Sequence, residues 1–235
     1  MATFVLCHGG WAGGWQWHSI PSLLRSHGHV VFTPTYTGMG ERIHLAHPEI
    51  DLDTHITDIE NVIKFEQLRD VILVGYSYSG MVITGVANRI PAQITHLVYL
   101  DAFVPEDGQS LADLLGAEIV GQIMQVVEQV GQGWKVPHIP DPGKPGDPRL
   151  MLHPLKCALQ PVILQNPAAL SLPRSFIFCT EDKDTMLMGR PIVQAAQMAK
   201  ASAHWHYYEL HTDHNPIENT PEELSSVLIK IALQR

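Results

Sequence analysis

A chain of 235 residues with 45% apolar and 17% charged side chains fits one globular domain with a full-sized core. Its net charge of −9, with histidines scattered rather than striped, argues against nucleic acid or an anionic membrane as a partner. The three cysteines Cys7, Cys157 and Cys179 lack metal-ligand spacing; Cys7 and Cys179 end apolar runs and read as buried thiols in a reducing compartment. The opening Met-Ala-Thr leads straight into an apolar run with no signal-peptide pattern, and no run approaches the length of a membrane span, so a cytoplasmic location is expected.

In chain order, six short apolar runs have strand character: Thr3–His8, His29–Thr33, Asp70–Gly75, His96–Leu100, Arg174–Cys179 and His204–Leu210. Helical patterns lie between most of them, at Ile20–His27, Leu52–Phe65, Met81–Asn88 and Val193–Ala201, and Pro221–Leu233 closes the chain. This alternation predicts an α/β fold with a parallel sheet covered on both faces. It breaks once, between Val104 and Leu172. There Ser110–Val130 reads as a helix, Gly131–Leu150 as a Pro- and Gly-rich loop, and Pro154–Leu164 as a segment holding a short helix. The expectation is a single domain over 1–235 with a packed helical cap inserted at about 104–172.

The segment Val71–Gly80 combines a buried strand, a cramped turn and the start of a helix, with Ser77 at the apex: the geometry of a nucleophile elbow. The usual pattern is G-x-S-x-G; here Gly75 precedes Ser77 by two and Ser79 takes the place of the last glycine. Ser79 as the nucleophile would put bulky Met81 where the elbow needs a small side chain, so Ser77 is preferred.

The first strand runs into His8-Gly9-Gly10-Trp11-Ala12-Gly13-Gly14-Trp15. A phosphate cradle would need Lys-Ser/Thr after the last glycine, and Trp15-Gln16 follows instead. The better reading is an oxyanion loop, with the N–H groups of Gly10 and Tyr78 facing a tetrahedral oxyanion and His8 bracing the loop. A serine hydroxyl needs a base, and the base an orienting acid. The run 176–179 leads into Thr180-Glu181-Asp182-Lys183-Asp184, and the last strand into His211-Thr212-Asp213-His214-Asn215. His214 is the expected base, with His211 as the alternative. Asp182 is the expected acid, with Asp101 and Asp184 as alternatives. A metal site at His211 and His214 would need further ligands that no other cluster supplies, so no metal is expected. Trp11, Tyr78, Phe103 and Trp134 are candidate pocket walls, or plain core.

These segments together resemble the α/β-hydrolase superfamily, in the branch of plant methylesterases, hydroxynitrile lyases and their bacterial esterase relatives. Residues 4–10 with Gly13-Gly14-Trp15-Gln16-Trp17 match that branch's HGxxxGGWxW start. Residues 74–78 match its elbow, residues 179–183 its acid loop and residues 212–214 its terminal D-H. Residues 37–42 and 52–56 resemble the bacterial members. The resemblance implies nucleophile Ser77, acid Asp182, base His214, an oxyanion hole from Gly10 and Tyr78, no cofactor, and a compact six-stranded core under a helical cap. The chain departs from the pattern at Tyr76, where the branch has His, and at Ser79. Asn215 and Gly9 stand where its lyases carry Lys and Thr, which counts against lyase chemistry. The expected activity is hydrolysis of a small, mostly apolar carboxylic ester through an acyl-enzyme. Amides, carbamates and lactones remain open, and a cyanohydrin lyase or a ligand receptor are the rivals. The expected partner is a small-molecule ester; a homodimer is the one assembly entertained, since nothing in the sequence fixes oligomeric state.

Overall fold

The computed structural model describes residues 1–138, 146–184 and 186–234. The six apolar runs become strands β1 (Thr3–Cys7), β2 (Val30–Phe32), β3 (Val71–Tyr76), β4 (Ile94–Leu100) and, after a small hairpin of β5 (Lys135–Pro137) and β6 (Leu152–Pro154), β7 (Arg174–Cys179) and β8 (Trp205–Leu210). The main sheet is parallel throughout, in the order β2-β1-β3-β4-β7-β8. Strand order reverses between β1 and β3, so the carboxyl ends of these two strands flank the crevice where open α/β sheets bind ligands.

The helices are α1 (Ile20–Ser26), α2 (Leu52–Phe65), α3 (Ser79–Arg89), α4 (Leu111–Leu115), α5 (Ala117–Val130), α6 (Leu155–Leu159), α7 (Pro167–Leu170), α8 (Gly189–Ala201), α9 (Pro216–Asn219) and α10 (Pro221–Leu233). Successive strand residues point to opposite faces. Val5, Cys7, Leu73, Tyr99 and Phe176 therefore pack in one apolar cluster with residues of α2, α3 and α8. Phe4, Leu6, Val74, Leu100 and Ile177 pack in a second cluster with residues of α1 and α10. Burial on both faces is why these strands read as continuous apolar runs rather than alternating ones. At the start of α2, the Asp51 carboxylate accepts a hydrogen bond from the Thr54 N–H, and Ile56, Ile59 and Ile63 fall on its buried face.

The inserted segment is packed, since Leu111, Leu115, Cys157, Ala158, Val162 and Ala169 join the first cluster. The single helix expected over 110–130 divides at Gly116, whose φ of 82° is favourable only for glycine. The 131–150 stretch, expected to be loop, carries β5, which pairs antiparallel with β6; its residues 139–145 lie outside the described ones. Among the described residues no helix is long and apolar enough to cross a membrane.

Candidate active site

Ser77 follows β3 directly and has φ 54°, a left-handed conformation that costs a non-glycine residue energy and persists only when its surroundings enforce it. Here the Ser77 N–H donates to the Leu100 carbonyl at 3.1 Å, and the Ser77 carbonyl accepts from Gly80 N–H at 3.1 Å and Phe103 N–H at 3.2 Å. A Cβ on Gly75 would lie 2.6 Å from the Ser79 carbonyl oxygen, and one on Gly80 would lie 1.9 Å from that of Phe103. The positions that exclude a side chain are thus 75 and 80. Position 79 accommodates serine, whose hydroxyl donates to the His8 carbonyl and accepts from the Tyr36 hydroxyl.

Gly10 and Tyr78 face each other: a Cβ on Gly10 would lie 3.9 Å from that of Tyr78. Among the described residues neither backbone N–H has a hydrogen-bond partner, and Tyr78 stands at the N-terminus of α3, where the helix dipole adds positive potential. His8 braces this loop. Its Nδ1–H donates to the Gly9 carbonyl at 2.8 Å and its Nε2 accepts from the Tyr36 N–H at 3.2 Å. Burial pushes its pKa down to about 4.

His214, in the loop after β8, accepts a hydrogen bond from the Ser77 hydroxyl through Nε2 at 2.9 Å. Its Nδ1–H donates to Asp101 Oδ2 at 2.6 Å. This corrects the expectation of Asp182 in that position. Asp101 directly follows β4, next to the strand that leads into Ser77, and its carboxylate is wholly buried. Oδ1 accepts from the Cys179 N–H at 3.1 Å, and Oδ2 also pairs with the Lys183 ammonium. Asp182 and Asp184 are exposed in the loop beyond β7, so that loop contributes a cation to the buried pair rather than the carboxylate. His211 is exposed, with its Nδ1 3.2 Å from the Thr180 hydroxyl. Tyr76 donates its hydroxyl proton to the His214 carbonyl and lays its ring 5.1 Å from the imidazole.

The candidate pocket residues divide. Phe103 is core, and its backbone braces the elbow. Trp11, at φ 62°, donates its indole N–H to the Val136 carbonyl. Tyr78 is buried, with its hydroxyl donating to His55 Nδ1 at 3.0 Å. Trp134 lies at the hairpin start with the Lys135 ammonium over its ring; among the described residues no ring contact or hydrogen bond joins it to Ser77 or His214. Sequence reasoning missed Tyr36, His55, His153 and Lys183. His55 had a signal, since it falls on the buried face of α2 between Leu52 and Ile59. His153, on a three-residue strand, had none. Among the described residues no group of His, Cys, Asp or Glu is placed to hold a metal ion.

A parallel six-stranded sheet with a strained serine at a strand–helix turn, bonded to a histidine from the last loop, defines a class: the chain belongs to the alpha/beta hydrolase family, whose model matches residues 4–227. Within it, the likeness is to carboxylesterase-like enzymes. The chain is 58% identical over 115 residues to a carbendazim hydrolyzing esterase of Nocardioides sp., a match spanning 49% of this chain and 48% of that one. It is 26% identical to methylesterase 1 of Arabidopsis thaliana, with 97% of this chain and 95% of that one covered. Among solved structures, an extracellular alpha/beta-hydrolase from a Paenibacillus species matches with a TM-score of 0.83 at 26% identity, over 98% of each chain.

Proposed function

We propose that this protein is a serine hydrolase that cleaves a small, mostly apolar carboxylic ester through an acyl-enzyme. The observation that carries this reading is the hydrogen-bonded chain Ser77–His214–Asp101; that Tyr78 follows Ser77 and that Gly10 faces Tyr78 support it. His214 Nε2 takes the Ser77 proton as the oxygen attacks the carbonyl, then returns it to the departing alcohol. The Gly10 and Tyr78 N–H groups stabilise the oxyanion of the tetrahedral intermediate. Asp101 holds the imidazole with Nδ1 protonated and offsets the charge it gains. Water activated by His214 then releases the acid and restores Ser77.

The inserted segment supplies walls of the acyl pocket, and the reaction needs no cofactor. Asn215, which follows the base, donates its amide N–H to Glu218 at 2.9 Å and so is engaged away from the triad, which supports hydrolysis over the lyase alternative. A cytoplasmic location is part of the proposal, supported by three buried cysteines that form no disulfide. The test is Ser77→Ala assayed on p-nitrophenyl acetate and butyrate. Turnover is expected to fall by roughly 10⁴-fold or more, and full retention overturns the mechanism.

A further inference from the structure

Gly10 is the loosest point in the loop after β1. Among the described residues neither its N–H nor its carbonyl has a hydrogen-bond partner. Packing does not fix it either: the nearest atoms to a Cβ built there lie 3.8 and 3.9 Å away, on His153 and Tyr78. The other glycines of the loop are tightly enclosed, since a Cβ on Gly9, Gly13 or Gly14 would meet a neighbour at 2.9, 2.9 or 2.0 Å. The orientation of Gly10 is therefore inherited from the residues on either side of it.

On one side, Gly9 is held from within the loop. Its N–H donates to Gln16 Oε1 at 2.9 Å, and its carbonyl accepts from the His8 Nδ1–H at 2.8 Å. On the other side, Trp11 is held from outside it. Trp11 has φ 62°, a left-handed conformation that a bulky residue keeps only where its surroundings impose it. Those surroundings are the inserted hairpin. The indole N–H donates to the Val136 carbonyl at 2.9 Å, and the Trp11 carbonyl accepts from the Met151 N–H at 3.3 Å. The indole also packs against Val127, Val136 and Leu155, a small apolar cluster of the insertion that is separate from the two clusters on the sheet faces. Arg149, shortly before β6, stacks its guanidinium 4.1 Å from the centre of the Trp15 ring and fastens the hairpin to the same loop a second time. Trp11 thus has its backbone in the loop that carries Gly10 and its side chain in the insertion.

A donor that stabilises an oxyanion must be in place before the charge develops, because a hydrogen bond weakens steeply with misalignment. Gly10 cannot hold its own N–H, and Gly9 restrains only one end of the most freely rotating residue type. We propose that Trp11 is a positioning residue, through which the insertion holds the Gly10 N–H at the scissile carbonyl. The insertion then does more than wall the pocket: it completes the loop on which the chemistry depends. The proposal rests on the reading of Ser77 as nucleophile and Gly10 as oxyanion donor.

Trp11→Phe keeps an aromatic ring and removes the indole N–H. Its kcat on p-nitrophenyl butyrate is expected to fall by about 10–100-fold with KM within about threefold, because an oxyanion donor acts in the transition state. Butylboronic acid reads the same geometry without turnover: its boron bonds the Ser77 oxygen, the Ser77 proton passes to His214, and a tetrahedral anion results. Its inhibition constant is expected to rise in Trp11→Phe by about the same factor as kcat falls. Arg149→Ala leaves Trp11 intact and loosens the same hairpin, and is expected to lower kcat by about two- to fivefold at unchanged KM. If Trp11→Phe does not fold, Arg149→Ala carries the test alone, and an unchanged kcat in it overturns the proposal. In Trp11→Phe, an unchanged kcat, a KM that rises more than kcat falls, or a fall in kcat with boronic acid affinity retained overturns it; the last two would make Trp11 a packing element of the pocket. Retained activity in Ser77→Ala, or a wild type insensitive to butylboronic acid, would overturn the serine reading instead.

Discussion

Asp101 carries three partners on one buried carboxylate: the Cys179 N–H, the Lys183 ammonium and the His214 imidazole. A buried charge is stable only when so satisfied, and the lysine offsets much of the cost of removing the carboxylate from water. Asp101→Asn keeps the shape but removes the charge that orients and supports the imidazole, and is expected to lower kcat by about 10⁴-fold. Asp182→Asn, at an exposed position, is expected to stay within a few-fold of wild type; steady-state kinetics on one ester separates the two, and the reverse order would return the acid to position 182. The serine and histidine that the structure brings together were legible in the sequence because each sits where a strand run gives way to a short loop, a purely local pattern. The acid was not. The bond joins residues 113 positions apart, and choosing between two strand-end aspartates requires knowing which strand lies beside the nucleophile.

The elbow is an element whose motif and energetics part company. Ser79 breaks the usual G-x-S-x-G pattern, yet its hydroxyl bonds the His8 carbonyl and the Tyr36 hydroxyl, tying the turn to the loops after β1 and β2. Ser79→Gly would restore the pattern and strand both buried partners. It is expected to destabilise the protein by about 1–3 kcal/mol in urea unfolding, and a neutral or stabilising result would mean those bonds contribute nothing. The six sheet strands and the main helices were readable from run length and period, because burial on both faces of the sheet leaves a dense apolar signal. The β5–β6 hairpin was unreadable. Three residues per strand, each including a proline, carry no period, and the hairpin exists through its bonds to Trp11 and through pairing across the intervening segment.

At the scale of the whole molecule, buried neutral histidines govern the response to acid. His8 has its pKa lowered to about 4 and His153 to about 3, and His55 is shifted in the same direction, all chiefly by burial. An unfolded histidine titrates near 6.5, at about that pH. Between that value and the folded pKa the unfolded chain binds more protons, so stability is full above it and is lost as pH falls. Each histidine contributes about 1.4 kcal/mol per pH unit within its window. The urea midpoint is expected to drop steeply from pH 6 towards pH 4, with a shallower slope in His153→Leu; an unchanged slope would show that the ring titrates normally. The net charge of −9 had pointed only to partners, whereas this acid sensitivity depends on which histidines the fold encloses.

The hydroxyl of Tyr76 grips the backbone of His214 from the residue immediately before Ser77. Consecutive residues thus hold both ends of the Ser77–His214 hydrogen bond: one carries the hydroxyl, the other anchors the loop that bears the imidazole. The loop after an edge strand would ordinarily be the first part of such a molecule to wander on warming. Moored to the central strand, it is expected to keep the Ser77–His214 distance until that strand itself gives way, so that loss of activity and loss of the sheet coincide on heating.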